Sequence, residues 1–272
     1  MKRIFAGLTA ALFITGFPLH ANADLVGEWL FENGVNDTSG NEIRTQAYGG
    51  VSEIVRDGEK AQYFNGTTGY LALDKKLEGS LDGLGLSVWF NTSYMNPNGA
   101  NYTNWAFLDF DRSEYFNLSI DNVGQIWFGM TTRNNSTTLD IFSDETFNDG
   151  KWHQLVLSYG KTNGLKVHVD RDLIIDDVYR GSIGRPGVVR YGFIGDGSEA
   201  NSFNGNRNQR YFEGGLDNVV LLDNELTDTN VYNFFSNGYS AVSDVSMPET
   251  SLGLLSLGLL VGFRRKKIAI LA

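Results

Sequence analysis

The sequence contains no cysteine, only four prolines and only three histidines among its 272 residues. Without cysteine, a disulfide scaffold, a thiolate metal site and a thiol nucleophile are all excluded. With so few histidines, a His-rich zinc centre is not expected either. Glycine, by contrast, is abundant at 32 residues, and aromatic side chains make up 13% of the chain. The fold must therefore be stabilised by its own hydrophobic core.

Positive charge is also scarce, because 22 Lys and Arg face 32 Asp and Glu, for a formal net charge of −10. Residues 1–23 carry +2 and residues 248–272 carry +3, so the segment between them is close to −15. Such a surface disfavours nucleic acid and anionic lipid, whose binding depends on Lys and Arg. It is compatible with neutral sugars or divalent cations.

The first residues have the pattern of a secretory leader. Lys2 and Arg3 are followed by a mostly apolar stretch over residues 4–17, and then by Ala21-Asn22-Ala23. Small residues at this spacing are typical of a signal peptidase site. The sequence therefore predicts a signal peptide over residues 1–23, with cleavage after Ala23.

The last residues predict a sorting signal over 247–272, joined to the domain by a linker over 241–246. An apolar run of 13 residues, 251–263, precedes four consecutive cations at 264–267. As a helix this run is about 20 Å long, which is too short for a hydrocarbon core of about 30 Å. With Pro248-Glu249 before it, the tail resembles the PEP-CTERM signals that exosortases process in Gram-negative bacteria. Thr250 replaces the usual second proline of that family, and MPETS is also similar to a variant of the sortase LPxTG motif.

Between these ends, short apolar stretches alternate with turns rich in Asn, Asp and Gly. The pattern predicts twelve strands and hence two packed antiparallel sheets. The strands are predicted at residues 25–31, 61–64, 70–73, 86–92, 105–110, 115–120, 126–130, 152–159, 165–169, 173–178, 190–195 and 211–222. One short helix is predicted over 226–235, with Thr227 as its N-cap and Gly238 as its stop.

Five segments in this order resemble the LamG-like, concanavalin A-like jelly-roll family. They are LVGEWLFENGVNDTSGN, AQYFNGTTGYLAL, LSVWFNTS, NDGKWHQLVLSYGKTNGLKVHVDRDLI and FEGGLDNVVLLDNELTDTNVYNFF. The resemblance implies an all-β, two-sheet antiparallel jelly-roll sandwich over residues 24–240 with one short C-terminal helix. One departure is Arg171, where the family's hairpin turn usually has glycine.

A first acidic string, Asp109, Asp111, Arg112 and Glu114, is similar to the catalytic motif of jelly-roll glucanases. Retaining glycosidases need two carboxyl groups about 5–5.5 Å apart. Asp109 and Asp111 would share one strand face, whereas Glu114 would join them only after a bulge. Three interpretations remain open: an arginine–carboxylate turn network, a ligand or cation site, and, with least support, catalysis.

A second string begins at Asp196 and Glu199 and continues through a loop that contains Asn204, Asn206 and Asn208. Carboxylate and amide oxygens suit a hard cation, although a solvated turn would have the same composition. If this loop folds beside Asp111, the two strings would form one acidic pocket. The sequence does not place them together.

Two further candidates come from the family resemblance and from the aromatic residues. The resemblance implies a structural calcium ion near the termini, held by Asp37, Asn41 and Asp217, although Asp37 could equally form an Asx turn. Trp105 ends a loop rich in aromatic rings and amides, and its ring could stack on a sugar. Trp105 could also be a side chain of the hydrophobic core.

The favoured hypothesis is a non-enzymatic, exported binding protein of the cell envelope or extracellular matrix, with a glycan, an extracellular polysaccharide or a surface protein as its partner. Signal peptidase and an exosortase would process it, nucleic acid would not bind, and the tail would contact the membrane only transiently. The alternatives are a glycoside hydrolase that uses Asp109, Asp111 and Glu114, and a purely structural envelope protein. The fold alone does not decide among them.

Overall fold

The computed structural model of the chain describes residues 23–94, 104–133, 137–179 and 181–237. The leader before Ala23, the linker, the sorting tail and Gly238 lie outside the described residues. So do residues 95–103 of the aromatic loop. The described residues form these elements: β1 (Leu25–Trp29), β2 (Thr45–Tyr48), β3 (Val51–Arg56), β4 (Glu59–Asn65), β5 (Tyr70–Glu78), β6 (Gly83–Asn91), β7 (Asn104–Asp109), β8 (Phe116–Asp121), β9 (Gln125–Thr131), β10 (Thr138–Thr146), β11 (Trp152–Gly160), β12 (Gly164–Val169), β13 (Asp172–Asp177), β14 (Val189–Ile194), β15 (Glu213–Leu222) and α1 (Asp228–Asn237).

The strands form two antiparallel sheets, which confirms the predicted sandwich. The eight-stranded sheet has the order β13-β12-β11-β6-β15-β4-β3, and β1 also pairs with β15. The seven-stranded sheet has the order β10-β9-β8-β7-β14-β5-β2. Apolar residues at alternate positions point between the sheets, among them Leu86 and Phe90 of β6 and Phe116 and Leu118 of β8. The residues between them point away from the core, as the period of two in a strand requires.

The strand β15 connects the two ends of the domain. Along one side it pairs with β6, from Gly215 to Leu222. Along its other side the first half, Glu213 to Leu216, pairs with β4, whereas the second half, Val219 to Leu222, pairs with β1. A break in register between Asp217 and Val220 separates the two halves of the pairing with β6. The strand therefore joins elements from the beginning, the middle and the end of the domain.

The helix α1 starts where the sequence predicts. The backbone N–H of Asn230 donates to Thr227 Oγ1 at 3.1 Å, and that hydroxyl donates to Asn230 Oδ1 at 2.8 Å. The first bond is the usual N-cap bond, and the second holds the hydroxyl in place from the Asn230 side chain. Val231 and Phe234 then pack on the outside of the eight-stranded sheet. Among the described residues, no helix is both long and apolar enough to cross a membrane.

Three strands, β2, β3 and β10, were not predicted. Each is the last strand on one side of its sheet. Their residues are mostly exposed or half-buried, so their sequences TQAY, VSEIVR and TLDIFSDET show little apolar alternation. Edge strands are paired on one side only and carry polar residues that discourage association. The hydrophobic signal on which the prediction depended is weak there for this reason.

Candidate functional site

The outer face of the seven-stranded sheet is partly covered by one loop, residues 196–211, here called the covering loop. Ala200, Phe203 and Tyr211 of this loop pack on Tyr70 and Phe193 of the sheet. The backbone N–H of Tyr191 donates to the carbonyl of Ala200 at 2.9 Å, and Ser198 Oγ donates to the carbonyl of Tyr191 at 2.6 Å. The loop is therefore attached to the sheet by both apolar and polar contacts.

Asp196 anchors the start of the covering loop. Its side chain is fully buried, and Arg207 Nη1 lies 3.0 Å from Asp196 Oδ2. The Arg207 guanidinium in turn stacks on the ring of Tyr70, 3.8 Å from its centre. Burial raises the pKa of Asp196 to about 6, against the opposing effects of hydrogen bonds and of Arg207. The predicted site residue Asp196 thus has a structural contact and does not line the pocket described next.

A pocket of about 90 Å³ lies between the covering loop and the strands β7 and β8. The strand side contributes Asp109, Asp111, Arg112, Ser113 and Asn117. The covering loop contributes Glu199, Asn208 and Arg210. The fold therefore brings the two acidic strings together, which the sequence left open.

Asp109 lies at the end of β7 and is buried at the base of this pocket. The backbone amides of Asp111 and Ser198 donate to its carboxylate, but burial dominates and raises its pKa well above the usual value. The sequence predicted that Asp111 would share one strand face with Asp109, and this prediction is wrong, because β7 ends at Asp109. The φ angle of Asp111 is +69°, so the chain leaves the strand there and enters the turn before β8.

Glu114 belongs to an arginine–carboxylate network at the outside of that turn. Arg190 contacts two of the three carboxylates of the string: its Nε lies 2.7 Å from Asp111 Oδ2 and its Nη2 lies 3.3 Å from Glu114 Oε2. Arg185 Nη1 adds a contact of 3.2 Å to Glu114 Oε1. Burial, followed by the hydrogen bond to Asp111 and the charge of Asp111, raises the pKa of Glu114 to about 7. Glu114 does not line the pocket.

Arg112 forms one wall of the pocket and is fixed by its neighbours. Its Nη1 lies 2.5 Å from both carboxylate oxygens of Asp140, and its guanidinium carbon lies 5.5 Å from the centre of the Trp127 ring. Trp127 Nε1 donates to Asp140 Oδ1 at 3.0 Å. Gly129 leaves room for this arrangement, because a Cβ atom there would come within 2.6 Å of Arg112 Cγ. Asp140 and Trp127 were not predicted as site residues because they belong to other strands.

Two buried side-chain oxygens of the pocket, Asn117 Oδ1 and Asn208 Oδ1, have no hydrogen-bond partner among the described residues. Asn117 is only 1% exposed. Its Nδ2 donates to Ser119 Oγ at 3.0 Å, and that hydroxyl contacts the carbonyl of Trp127 at 3.3 Å. This chain of hydrogen bonds orients the amide with its nitrogen toward Ser119. Asn117 was missed by sequence reasoning, although its alternation with Phe116 and Leu118 places it on the outer face.

The residues predicted to hold calcium are engaged in other contacts. Asp37 accepts hydrogen bonds from the backbone N–H groups of Glu28, Ser39 and Ile43. Asn41 Nδ2 donates to two backbone carbonyls of β1. Asp217 Oδ2 lies 2.7 Å from Nε of the buried Arg56. In the part of the chain that the structure describes, no three His, Cys, Asp or Glu side chains are grouped for metal binding. Calcium stays a prediction, which thermal unfolding with added calcium and with a chelator would test.

Trp105 belongs to the core between the sheets and is 9% exposed. Its ring contacts Tyr94 edge-on, with 4.8 Å between the ring centres. The two rings line a narrow cleft together with Thr92, Phe212 and other residues. Trp105 is therefore not part of the pocket formed by the acidic strings, and a role in sugar binding stays a prediction.

Several solved structures share this fold. The binding domain of Paraclostridial Mosquitocidal Protein 1 is 16% identical, with a TM-score of 0.58 over 79% of this chain and 52% of that chain. Domain 4 of AbnA, a GH43 extracellular arabinanase from Geobacillus stearothermophilus, in complex with arabinotriose, is 16% identical, with a TM-score of 0.56 over 78% of this chain and 98% of that chain. The binding domain of Botulinum Neurotoxin DC in complex with SialylT is 12% identical, with a TM-score of 0.54 over 79% and 51%.

These similarities concern the fold alone, and the chain spans about half the length of the two toxin binding domains. No curated protein matches the sequence. The family model described as the concanavalin A-like lectin/glucanases superfamily matches residues 65–232, which is more than half of the chain. With its two antiparallel sheets and this match, the chain belongs to the concanavalin A-like lectin/glucanase superfamily.

Proposed function

We propose that the chain is an exported binding protein of the cell envelope or extracellular matrix, which holds a glycan in the pocket under the covering loop. The observation that carries this proposal is the pocket itself, in which the fold brings carboxylate, amide and guanidinium side chains of both acidic strings together. Several polar groups in fixed positions allow directed hydrogen bonds to the hydroxyl groups of a sugar.

The walls of the pocket support a binding role because they are fixed in position. The ion pair of Arg112 with Asp140 holds one wall, and the Asp196–Arg207 pair holds the loop that carries Asn208. A site that needs no rearrangement loses less conformational entropy when a ligand binds. Two of the similar structures were solved with a bound partner, arabinotriose in one and SialylT in the other. The fold is therefore compatible with such ligands, although it does not specify them.

Binding of oligosaccharides to the purified chain tests this function. We expect Asn117→Ala and Asn208→Ala each to weaken the affinity for the best ligand of a neutral and amino-sugar panel about tenfold, which corresponds to roughly 1.4 kcal/mol. Isothermal titration calorimetry gives these affinities. Asn201→Ala is the matched control, because Asn201 is an exposed asparagine of the same loop and its replacement should leave the affinity unchanged. Folded variants of both pocket asparagines that bind as tightly as the parent chain would rule the site out.

The polysaccharide-cleaving alternative has less support from this geometry. Asp111 and Glu114 hydrogen-bond to each other and to arginines. They do not face each other across a groove at the separation of about 5–5.5 Å that a retaining mechanism needs. Of the three carboxylates of the string, Asp109 and Asp111 line the pocket and Glu114 does not.

The proposal of export depends on the sequence of the two ends. We propose cleavage by signal peptidase after Ala23 and processing of the tail by an exosortase. Intact-mass spectrometry of the chain recovered from the envelope of an exosortase-bearing Gram-negative host should give an N-terminus at Asp24 and a C-terminus that lacks Arg264–Lys267. Recovery of the full-length mass from that envelope would contradict both steps.

A further inference from the structure

Just before β1, the backbone nitrogen of Asp24 lies against a carboxylate. The N–H of Asp24 donates to Asp223 Oδ1 at 2.8 Å, and the backbone N–H of Asp223 donates to the Asp24 carbonyl at 3.1 Å. These bonds continue the antiparallel pairing of β1 with β15, in which Leu25 lies opposite Leu222. The position of the Asp24 nitrogen is therefore set by the strand that follows it in the chain.

The surroundings of this nitrogen carry more negative than positive charge. An open recess of about 350 Å³ lies there, and four of the residues that line it are acidic: Asp24, Glu42, Asp74 and Asp223. Lys75 lines the same recess, and Arg44 lies 3.1 Å from the carboxylate of Asp74. The other three carboxylates form no ion pair with another described residue. A cation at the Asp24 nitrogen would therefore be favoured electrostatically.

Removal of the leader changes the chemistry of this nitrogen. When signal peptidase hydrolyses the bond between Ala23 and Asp24, the C–N bond breaks, and water supplies a hydroxyl group to the Ala23 carbonyl carbon and a proton to the nitrogen. The free amine takes up a second proton from solvent at neutral pH, since an ordinary α-amino group has a pKa of about 7.7–8.0. A peptide N–H is one uncharged donor, whereas an ammonium group carries three donors and a positive charge.

We propose that the α-ammonium group released at Asp24 forms an ion pair with Asp223, a contact that the precursor cannot make because its nitrogen is part of a peptide bond. A hydrogen bond between two charged groups is roughly twice as strong as one between neutral groups. Asp223 directly follows β15, so the pair fastens the first residue of the mature chain to the end of that strand. This inference rests on the cleavage after Ala23 proposed above and gives that cleavage a structural consequence.

The ion pair has a defined pH window. A carboxylate in contact favours the charged form of the amine, so the pKa of the α-amino group should lie above about 8 in the folded mature chain. Stabilisation from a group whose pKa is raised on folding is complete below the unfolded pKa and is lost as pH rises through the folded pKa. The contribution of this pair should therefore be present at pH 7 and absent near pH 10.

Titration of the α-amino group tests the inference on the mature chain exported by a Gram-negative host, once its intact mass shows Asp24 as the first residue. Competitive acetylation between pH 6 and pH 10, followed by mass spectrometry of the N-terminal peptide, gives the pKa. We expect the amine to bind its proton about tenfold more tightly than an ordinary α-amino group. Asp223→Asn keeps an acceptor oxygen but removes the charge, and it should restore ordinary binding. The matched control, Asp172→Asn on β13, removes an exposed carboxylate from an edge of the same sheet and should have no effect.

A second comparison keeps a free amino terminus but moves it away from Asp223. In a chain with Gly-Ser inserted after Ala23, the Asp24 nitrogen stays in a peptide bond and the new α-amino group should titrate normally. Urea unfolding should show this chain to be less stable than the mature chain at pH 7 and equally stable near pH 10. Asp24 and Asp223 are both exposed, so neither the insertion nor Asp223→Asn disturbs the core.

The outcomes separate this inference from the proposal on which it rests. An Asp24 terminus with an ordinary α-amino pKa would overturn the ion pair and leave the cleavage in place. A mature chain that begins at another residue would overturn both the cleavage after Ala23 and the ion pair, while glycan binding keeps its own test. A raised pKa that Asp223→Asn does not lower would overturn the assignment of the partner to Asp223.

Discussion

Arg56→Leu is expected to lower the free energy of unfolding by about 3–5 kcal/mol at pH 8, because it leaves a buried carboxylate without its cation. Asp217 is fully buried on β15, and Nε of Arg56 lies 2.7 Å from its Oδ2. The guanidinium also stacks on Trp89, 4.4 Å from the ring centre. In the variant, the backbone N–H of Asn218 still donates to Asp217 Oδ1. Urea unfolding followed by circular dichroism measures the loss.

The complementary variants distinguish the unpaired charge from lost packing. Arg56→Leu/Asp217→Leu removes both charges and should recover most of the stability, since apolar replacement of a buried ion pair is often neutral. Asp217→Asn should cost less than Arg56→Leu, because Arg56 keeps Asp57 at 3.8 Å and Glu59 at 3.6 Å. If the double variant is as unstable as the sum of the two single variants, the stabilisation comes from packing of the arginine and not from the pair.

The second large effect is a fall in stability between pH 5 and pH 8. Burial raises the pKa values of Asp196 and Asp217 to about 6. Burial also raises the pKa values of Glu114, to about 7, and of Asp109. In the unfolded chain these groups titrate near pH 4. The folded state therefore binds more protons than the unfolded state, and its stability falls as pH rises.

The pH window and the slope follow from these pKa values. The stabilisation is fully present below the unfolded pKa values and is lost as pH rises through about 6 to 7. At pH 6 the two buried aspartates together hold about one extra proton, so they contribute a slope of about 1.4 kcal/mol per pH unit, to which Glu114 adds. Urea unfolding at pH 5, 6, 7 and 8 measures this slope, and Asp217→Asn should make it shallower. Stability that rises from pH 5 to pH 8 would contradict the expectation.

Groups with lowered pKa values act outside this window. Lys151, together with backbone and His153 hydrogen bonds, lowers the pKa of the exposed Asp149 carboxyl. Hydrogen bonds from Lys161 and Ser182 lower the pKa of Asp82, which is also exposed. Stabilisation from such groups is lost only when pH falls below about 4. The maximum of stability is therefore expected near pH 4.

The central strands and the helix could be predicted from the sequence because their signals are local. The alternation around Phe116 and Leu118 places β8, and Thr227 marks the start of α1 with its own side chain. The edge strands β2 and β10 lack that alternation because one side of each faces water. Their positions depend on pairing with β5 and β9, which the sequence does not show.

The pocket was predictable only in part, since it depends on distant contacts. The acidic residues Asp109 and Glu199 were visible in the sequence, but 90 residues separate them in the chain. Their common pocket forms because the covering loop packs on Tyr70 and Phe193. Asn117 attracted no attention because an isolated asparagine in a strand is common. Only its burial without a partner distinguishes it.

The double pairing of β15 has a consequence for how the chain folds. The contacts of β15 with β1 join residues nearly 200 positions apart, and contacts over such separations are slow to form. β6 also lacks one of its two neighbours until residues 213–222 are available. During synthesis, those residues leave the ribosome after all the other strands have emerged. The nascent chain therefore has no complete eight-stranded sheet until its last strand has emerged, and a chain that must cross a membrane while unfolded would gain from this delay.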